Sequence, residues 1–504
     1  MDSFITVEAN HLRDKVRDAL HSQNCRLAFL TSITGKEIIT GIIRLDSKEL
    51  ELWQSPVSAG KYPAVSLTVP QAHWFERRIK DMFGIEPTGH PRNKSCFTEK
   101  AYATPLPPLY SAGNSDTMDS ADSNDSPSKD RDFSFLTVEG PGVYELPVGP
   151  VHAGIIEPGH FRLSCLGEYI QNLELRFGFV HRGVESNLTK VPWQNTRHLC
   201  EASVGDTTVA NALANSLAFE KMLNVDIDDN TRLLRALALE IERLAMHTTD
   251  LGGMAVDLGI GSIASTLSIL RGRILKLAEL LTGSRLMRGF ICPGGITRLH
   301  LNRLNSIKEL IPEIEKDLNS ALHSFTDSAY VHERLEKTGI VSKEMASAFG
   351  LVGPAARASG IDYDARQVFG CDIYDRHEKT QPSLVVKTAG DAFARTKVRM
   401  KEAEESLRLM AAILENDFSD TVAKTKCPDN LPPNSVSTGV VEAYRGELIH
   451  FIATDENSNI QRYFIKDPSL NNWTGMAIAA RGELIADFPI CNKSFSLSYS
   501  GHDL

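Results

Sequence analysis

Apolar residues recur at three- and four-residue spacing along several long stretches of the chain. Near the N-terminus, Val7 to His21 shows this spacing and predicts an amphipathic helix. Arg26–Leu30 and Glu37–Leu45 alternate or are rich in β-formers and predict neighbouring strands; Ala64–Val69 predicts another. Trp74–Met82 returns to the helical period, with Phe83-Gly84 ending it. Pro87, Gly89, Pro91 and the PLPPLY run Pro105–Tyr110 then predict an extended arm, because each proline removes a donor and restricts its neighbour. Further on, the helical period holds over Thr207–Leu223, Asn230–Thr249, Ser262–Thr282, Arg303–Thr326 and Gly390–Phe418. β-rich pieces occur at Gly142–Pro147, Glu168–Phe179, Val436–Thr454 and Glu483–Pro489, and the first and last of these are expected to pair around a helix bundle.

One stretch belongs to neither pattern. Residues 111–132 hold six Asp and six Ser with no Leu, Ile, Val, Phe, Tyr or Trp, too little apolar surface to offset the entropy of ordering. It reads as a disordered acidic linker. The expected fold is an α+β N-terminal domain, residues 1–110, joined to a mainly α-helical domain with small β elements, residues 133–504.

Composition narrows the function classes. The 504 residues carry a formal net charge of −10, which excludes a nucleic-acid binder relying on summed basic charge. No run of 18 apolar residues exists; the most apolar stretch, Leu258 to Leu270, carries Gly, Ser and Thr, so a membrane-spanning helix is not expected. MDSFITVEANHLRDK has an early acid and no apolar run, so a secretory leader is not expected either. The eight cysteines, Cys25, Cys96, Cys165, Cys200, Cys292, Cys371, Cys427 and Cys491, include no CxxC pair, so they read as small buried hydrophobes rather than as cluster ligands or disulfides. No GxxxxGK[ST] or strand-linked GxGxxG supports nucleotide binding. No internal repeat is present.

WFERRIKDMFGIEPTGHPR (Trp74–Arg92) resembles the small hydrophilic subunit of respiratory complex I that abuts the quinone-reducing subunit. GPVHAGIIEPGHFRL (Gly149–Leu163), FVHRGVE (Phe179–Glu185), the Glu240/Arg243/His247 helix, CPGG (Cys292–Gly295), GPAARASG (Gly353–Gly360), GDAFARTKVR (Gly390–Arg399) and VEAYRGEL (Val441–Leu448) resemble that quinone-reducing subunit. They resemble still more closely the large subunit of membrane-bound, energy-converting [NiFe] hydrogenases, in the fused order of the formate-hydrogenlyase type. The resemblance covers nearly the whole chain outside the linker. It implies a hydrogenase-large-subunit-like fold for residues 133–504. It also implies a small iron–sulfur partner carrying a [4Fe–4S] cluster, a ferredoxin-like iron–sulfur subunit, antiporter-like membrane-arm subunits, and a peripheral place on the cytoplasmic side of the inner membrane.

Fold does not settle chemistry. An active [NiFe] hydrogenase holds its metals with two CxxC pairs, because thiolates are soft, anionic and able to bridge. Aligned on the resemblance, Val204 and Thr207 stand at the first pair and Ser498 and Gly501 at the second. With the register shifted, Cys200 takes the first position and Ser203 the second. Valine and glycine side chains offer no donor, neutral hydroxyls are poor nickel ligands, and Cys200 and Cys491 make only two scattered thiols. A nickel–iron centre is therefore disfavoured, and no metal ligands are assigned. Active relatives often carry a C-terminal extension that is cut once nickel is inserted; here the motif is followed directly by Leu504.

The remaining candidates surround that position. The loop bearing His152 and His160 resembles the complex I loop that borders the quinone headgroup; Pro158 stands opposite the headgroup-binding histidine, and His160 is the side chain that could substitute. The complex I tyrosine has no equivalent near Val204–Asp206, and Tyr499 is a replacement candidate. Glu157 matches a proton-passing glutamate of hydrogenases, or pairs with an arginine such as Arg445. Arg445 matches the arginine beside the active centre and could bind a carboxylate or a quinone oxygen. Asp206 either helps a hydrated proton path or caps the following helix. Glu240, Arg243 and His247 form either a structural network or a redox-coupled proton route; His181, Arg182 and Glu185 are expected to brace the fold. The expected role is electron acceptance from a neighbouring cluster, with a quinone as acceptor, coupled to ion movement. The alternatives are an active [NiFe] hydrogenase and a non-catalytic scaffold for iron–sulfur subunits.

Overall fold

The computed structural model describes residues 2–22, 24–96, 135–152, 156–297, 299–370, 374–376, 378–418 and 424–504. The expected linker, the Pro105–Tyr110 run and Cys371 lie outside the described residues.

The N-terminal part is α+β. Strands β1 (Phe4–Thr6), β2 (Cys25–Thr31), β3 (Glu37–Arg44) and β4 (Glu49–Pro56) form one sheet in the order β1-β4-β3-β2, with β1 parallel to β4 and the other pairs antiparallel. Helix α1 (Ala9–Ser22) follows the predicted period and buries Leu12, Val16 and Ala19. Helix α2 (His73–Phe83) lies one residue outside the prediction at each end. Two expectations here fail. Ala64–Val69 is not a strand; Val65–Leu67 turns as a short 3₁₀ segment. The buried Glu76 carboxylate accepts from the Val65 and Ser66 N–H groups at 2.6 and 3.0 Å, so a side chain takes the donors a ladder would use. The arm after α2 is not wholly irregular: β6 (Glu86–Thr88) pairs in parallel with β5 (Lys61–Pro63).

The larger part holds two three-stranded antiparallel sheets around helices. One is β7 (Val143–Val148), β8 (His160–Leu166) and β9 (Tyr169–Arg176). The other is β12 (Val436–Ala443), β13 (Gly446–Thr454) and β14 (Ile460–Lys466); the short pair β10 (Ile291–Cys292) and β11 (Gly295–Ile296) falls between them in sequence. The first and last β-rich pieces do not pair as expected, since β7 and β9 both close locally on β8. Glu483–Pro489 is not a strand: Ile485–Asp487 is a 3₁₀ turn, and Pro489 sits in the first turn of the helix Phe488–Phe495, where its missing N–H leaves no bond unmade.

Helices follow the predicted stretches closely. They run over Thr208–Leu223, Asp229–Asp257, Gly261–Thr282, Leu304–Thr326 and Ala392–Ile413. The second runs eight residues past the expected Thr249, and the last is shorter at both ends than Gly390–Phe418.

The β12–β14 sheet explains why these parts cohere. Alternate residues of a strand face opposite ways. In β13, Leu448 and Ile452 join the helical core, whereas Ile449, Phe451 and Ala453 join a second core shared with the N-terminal sheet, α2 and β8–β9. The sheet is buried on both faces, and all nine residues of β13 are buried, Glu447 and His450 with partners inside: Glu447 pairs with Lys466, and His450 meets Tyr463 and Asn211. Polar ties cross the same boundary: Arg78 and Arg462 both pair with Glu185, at 2.7 and 2.8 Å, and Trp74 Nε1 donates to Thr474 Oγ1 at 2.9 Å.

Candidate functional site

Three segments meet where the resemblance places the metal-binding positions of hydrogenases, here called the chamber. The first is the turn before the Thr208–Leu223 helix, the second the β12–β13 turn bearing Tyr444 and Arg445, and the third Ser496–Leu504. Arg445 and Asp206 meet through two parallel contacts of 2.7 Å, the planar fork matching a carboxylate. The Tyr444 hydroxyl donates to the same carboxylate at 2.8 Å and Thr207 Oγ1 at 3.1 Å; Arg445 Nε donates to the Ser496 carbonyl. Burial by itself would raise the Asp206 pKa, but the Arg445 guanidinium, with these hydroxyl donors, outweighs it and holds the carboxyl below its ordinary value. Asp206 does not cap the following helix. That role falls to Glu242, whose carboxylate accepts from the Val209 and Ala210 N–H groups at 2.6 and 3.0 Å.

The donor set does not fit nickel and iron. Val204 is buried and apolar; the Thr207 hydroxyl is engaged by Asp206; Ser498 Oγ accepts from the Gly501 N–H at 3.0 Å. A Cβ on Gly501 would stand 2.5 Å from the Asp467 carboxyl carbon, so a cysteine there has no room. The Cys200 thiol lies 3.5 Å from the Tyr463 hydroxyl and 3.7 Å from Asn215 Nδ2, and burial pushes it up to about 12. Burial likewise pushes Cys491 to about 12. The two thiols sit in separate surroundings, Cys200 beside Tyr463 and Asn215 and Cys491 beside the Ala479 carbonyl. Among the described residues no group of three or more His, Cys, Asp or Glu is gathered to hold a metal ion.

The loop before β8 meets the C-terminal segment. Glu157 is exposed, does not reach Arg445, and accepts from the Ser500 N–H at 2.9 Å. Gly159 packs against the Tyr499 ring so closely that a Cβ would lie 2.4 Å from it. His152 Nε2 lies 2.8 Å from the Gly159 carbonyl; since a carbonyl accepts, that nitrogen carries the hydrogen. His160 opens β8, with Nδ1 3.3 Å from the Gly149 carbonyl, so its hydrogen sits on Nδ1 and Nε2 presents a lone pair. That Nε2 is buried and has no hydrogen-bond partner among the described residues. Burial lowers the His160 pKa, which keeps the ring neutral. Burial also pushes the Tyr499 hydroxyl up to about 12. Glu157 and the His152 ring thus meet Ser500 and Tyr499, while Arg445, holding Asp206, meets Ser496.

Glu240, Arg243 and His247 join a larger buried cluster. Arg243 reaches Glu402 at 2.9 Å and Glu240 at 3.6 Å; Arg357 reaches Glu402, Glu442 and Asp364 at 2.7, 2.8 and 3.4 Å; Arg366 reaches Asp364 and Glu240 at 2.8 and 3.1 Å. Tyr374 and Ser406 hydroxyls donate to Glu240 at 2.5 Å each. Burial would raise the Glu240 and Glu402 carboxyls, yet the guanidiniums hold both below their ordinary value. Glu442 goes the other way, raised by burial and by the nearby Asp364 charge. His247 Nε2 lies 3.1 Å from Glu402 without hydrogen-bond alignment, and burial lowers its pKa. Glu185, held by two arginines, and His181, whose Nδ1 meets the Asp503 carbonyl at 2.8 Å, brace the fold; Arg182 donates to the Ala202 and Ser203 carbonyls.

Three residues of this region escape a reading by motif: Tyr444, Asp467 and Glu242. Glu242 left a signal. Its helical neighbours three and four away, Leu239, Ala238, Ala245 and Met246, are all apolar, so its carboxylate had to enter a buried face without a local cation.

Two family descriptions match the chain. Residues 5–114 match the 30 Kd subunit of respiratory-chain NADH dehydrogenase, and residues 257–436 match its 49 Kd subunit. The chain thus joins a 30 Kd-type and a 49 Kd-type domain in one polypeptide. Among particular proteins, it is 27% identical to formate hydrogenlyase subunit 5 of Escherichia coli K12, over 99% of this chain and 88% of that one. It is also 27% identical to the C/D subunit of NADH-quinone oxidoreductase from Bacteroides thetaiotaomicron, over 84% of this chain and 82% of the relative. A chain in the structure of the membrane-bound sulfane sulfur reductase, an archaeal respiratory membrane complex, superposes with a TM-score of 0.67 at 24% identity, over 72% of this chain and 99% of that one, and so shares the fold.

Proposed function

We propose that the chain is a peripheral-arm subunit of a membrane-bound, complex I-like oxidoreductase on the cytoplasmic side of the inner membrane. It receives electrons from a [4Fe–4S] cluster in a small iron–sulfur partner and delivers them to a quinone, coupled to ion movement through antiporter-like membrane-arm subunits. The electron path is completed by a ferredoxin-like iron–sulfur subunit. The relatives of this chain are components of such complexes, and no helix among the described residues is long and apolar enough to cross a membrane, so the membrane part belongs to partners. A quinone takes up two electrons and two protons and leaves as the quinol.

The observation that carries this reading is the unpartnered His160 Nε2. A buried polar atom without a partner is costly, and a ligand that supplies one relieves the cost. With the neutral ring carrying its hydrogen on Nδ1, Nε2 accepts from a quinol hydroxyl; once protonated it donates to a quinone carbonyl. Nickel–iron chemistry is not part of this reading, because Val204, Thr207, Ser498 and Gly501 supply no thiolate.

The test is quinone reduction by the intact complex carrying His160→Ala. A fall of about 100-fold, with every partner still bound in normal amount, supports the reading. An unchanged rate, also unchanged in Glu157→Gln and Arg445→Met, favours the scaffold reading. One observation points that way: Asp206 already occupies both forks of Arg445.

A further inference from the structure

Glu242 has no place in the reading above; like Glu76 it is a buried carboxylate met by backbone donors, but it lines a pocket beside Asp206. Glu242 is 6% exposed. Its carboxylate accepts from two backbone N–H groups, and no cation pairs with it among the described residues. It lies beneath the chamber, in a pocket whose lining includes Gly205, Asp206, Met246, Arg285 and Leu286. Gly205 and Arg285 are exposed, so the pocket reaches the surface beside them. The space open to the centre of a water molecule is about 10 Å³, the lower bound for holding a single water.

We propose that Glu242 is a proton-binding site, supplied by water through the Gly205–Arg285 opening, whose occupancy follows the charge on the Asp206–Arg445 pair. The step is a single proton transfer: an O–H bond of hydrated proton in the pocket breaks, an O–H bond on a Glu242 carboxyl oxygen forms, and the reverse returns it. No electron moves.

Three features support this. First, an unpaired carboxylate held away from water is destabilised by its charge and takes a proton instead. Second, the titratable groups lining the pocket are Glu242, Asp206 and Arg285, and Asp206 is a like charge. Burial and Asp206 push Glu242 up to about 8, against the pull of the Val209 and Ala210 N–H groups. Third, Asp206 is neutralised from the far side by Arg445, with Tyr444 on the same carboxylate. If Arg445 turns to another anion, Asp206 regains its full charge and Glu242 holds its proton more tightly. Arg445 thereby links events in the chamber to proton uptake from the pocket below it.

The test needs no turnover and is therefore independent of the acceptor proposed above. The infrared carbonyl band of a protonated carboxyl group is followed in the full chain from about pH 6 to pH 9. The expected result is a band that disappears near pH 8 in the native protein and is absent from Glu242→Gln, while the band of the raised Glu442 carboxyl, near pH 7, stays in both. The Glu242 midpoint falls by roughly one pH unit in Asp206→Asn, which removes the like charge, and rises in Arg445→Gln, which removes the neutralising one. A purely capping role for Glu242 predicts no such band. The inference is overturned if no carboxyl titrates near pH 8, if that band survives Glu242→Gln, or if Asp206→Asn leaves its midpoint in place. Should Glu242→Gln fail to fold, the opposite shifts in the two pair variants decide the question.

Discussion

The Glu402–Arg357 cluster and the Asp206–Arg445 pair are neighbouring bodies of buried charge, satisfied in opposite ways. They nearly touch: the His247 ring meets the Tyr444 ring edge-on at 5.9 Å, and Tyr444 donates to Asp206. In the cluster each guanidinium serves at least two carboxylates, and its members are at most 3% exposed. At the pair, one arginine serves one carboxylate whose side chain is 38% exposed, while Glu242 beneath it has no cation. Saturated charge fixes geometry, because each guanidinium is held by more than one carboxylate. Unsaturated charge at a water-reachable edge is where protons and ligands can exchange.

The comparison breaks most visibly at Arg357. Arg357→Met takes one of two cations from Glu402 and from Asp364 and leaves Glu442 without an ion-pair partner among the described residues, and it is expected to cost about 3–5 kcal/mol in denaturant unfolding. A loss below about 1 kcal/mol would mean that the cluster is hydrated or protonated and not saturated. Asp206→Asn leaves Arg445, itself 7% exposed, with a neutral partner, and about 2 kcal/mol is expected by the same measurement. Because the Asp206 pKa is lowered, its contribution to stability is present above the unfolded value of 3.8 and is lost as pH falls through the lower folded value.

Glu242→Gln sharpens the comparison with the opposite sign. The folded carboxyl is raised from 4.5 to about 8, so between these values the folded state binds more protons than the unfolded state, and the native protein loses stability as pH rises. The glutamine variant lacks that slope. Its stability relative to native is expected to grow by about 4 kcal/mol from pH 5 to pH 9, and unfolding curves that stay parallel across this range would refute the assignment. The smallest effect is expected from Tyr374→Phe. Glu240 keeps Arg366 and Ser406, so about 1 kcal/mol is lost, and a second removal in Ser406→Ala should cost more than its own share because the two donors act on one carboxylate.

Helices are easier to read in the chain than strands, for a reason visible at particular residues. The Asp229–Asp257 helix carries an apolar period through 29 residues, and this period survives buried charge. Strand β14 defeats the same reasoning, because IQRYFIK places Arg462 and Lys466 in the core, where Glu185 and Glu447 meet them at 2.8 Å each. Strand β8 is hidden by the Gly-rich loop that runs into it, and Ala64–Val69 resembles a strand because the accepting Glu76 lies ten or eleven residues downstream of the donors it takes. At the site, Asp206 is legible as a polar newcomer, but its partner is not: Arg445 lies 239 residues away.

The sequence by itself determined the helical stretches, the two joined subunit types and the absence of sulfur at positions 204, 207, 498 and 501, since these are matters of local order and residue identity. Only the tertiary structure decided that Asp206 binds Arg445 and caps nothing, that Glu242 takes the cap, and that His160 Nε2 is left without a partner. Pairing and proton affinity depend on burial and on charges brought close from distant parts of the chain, and neither is written in the spacing of neighbours.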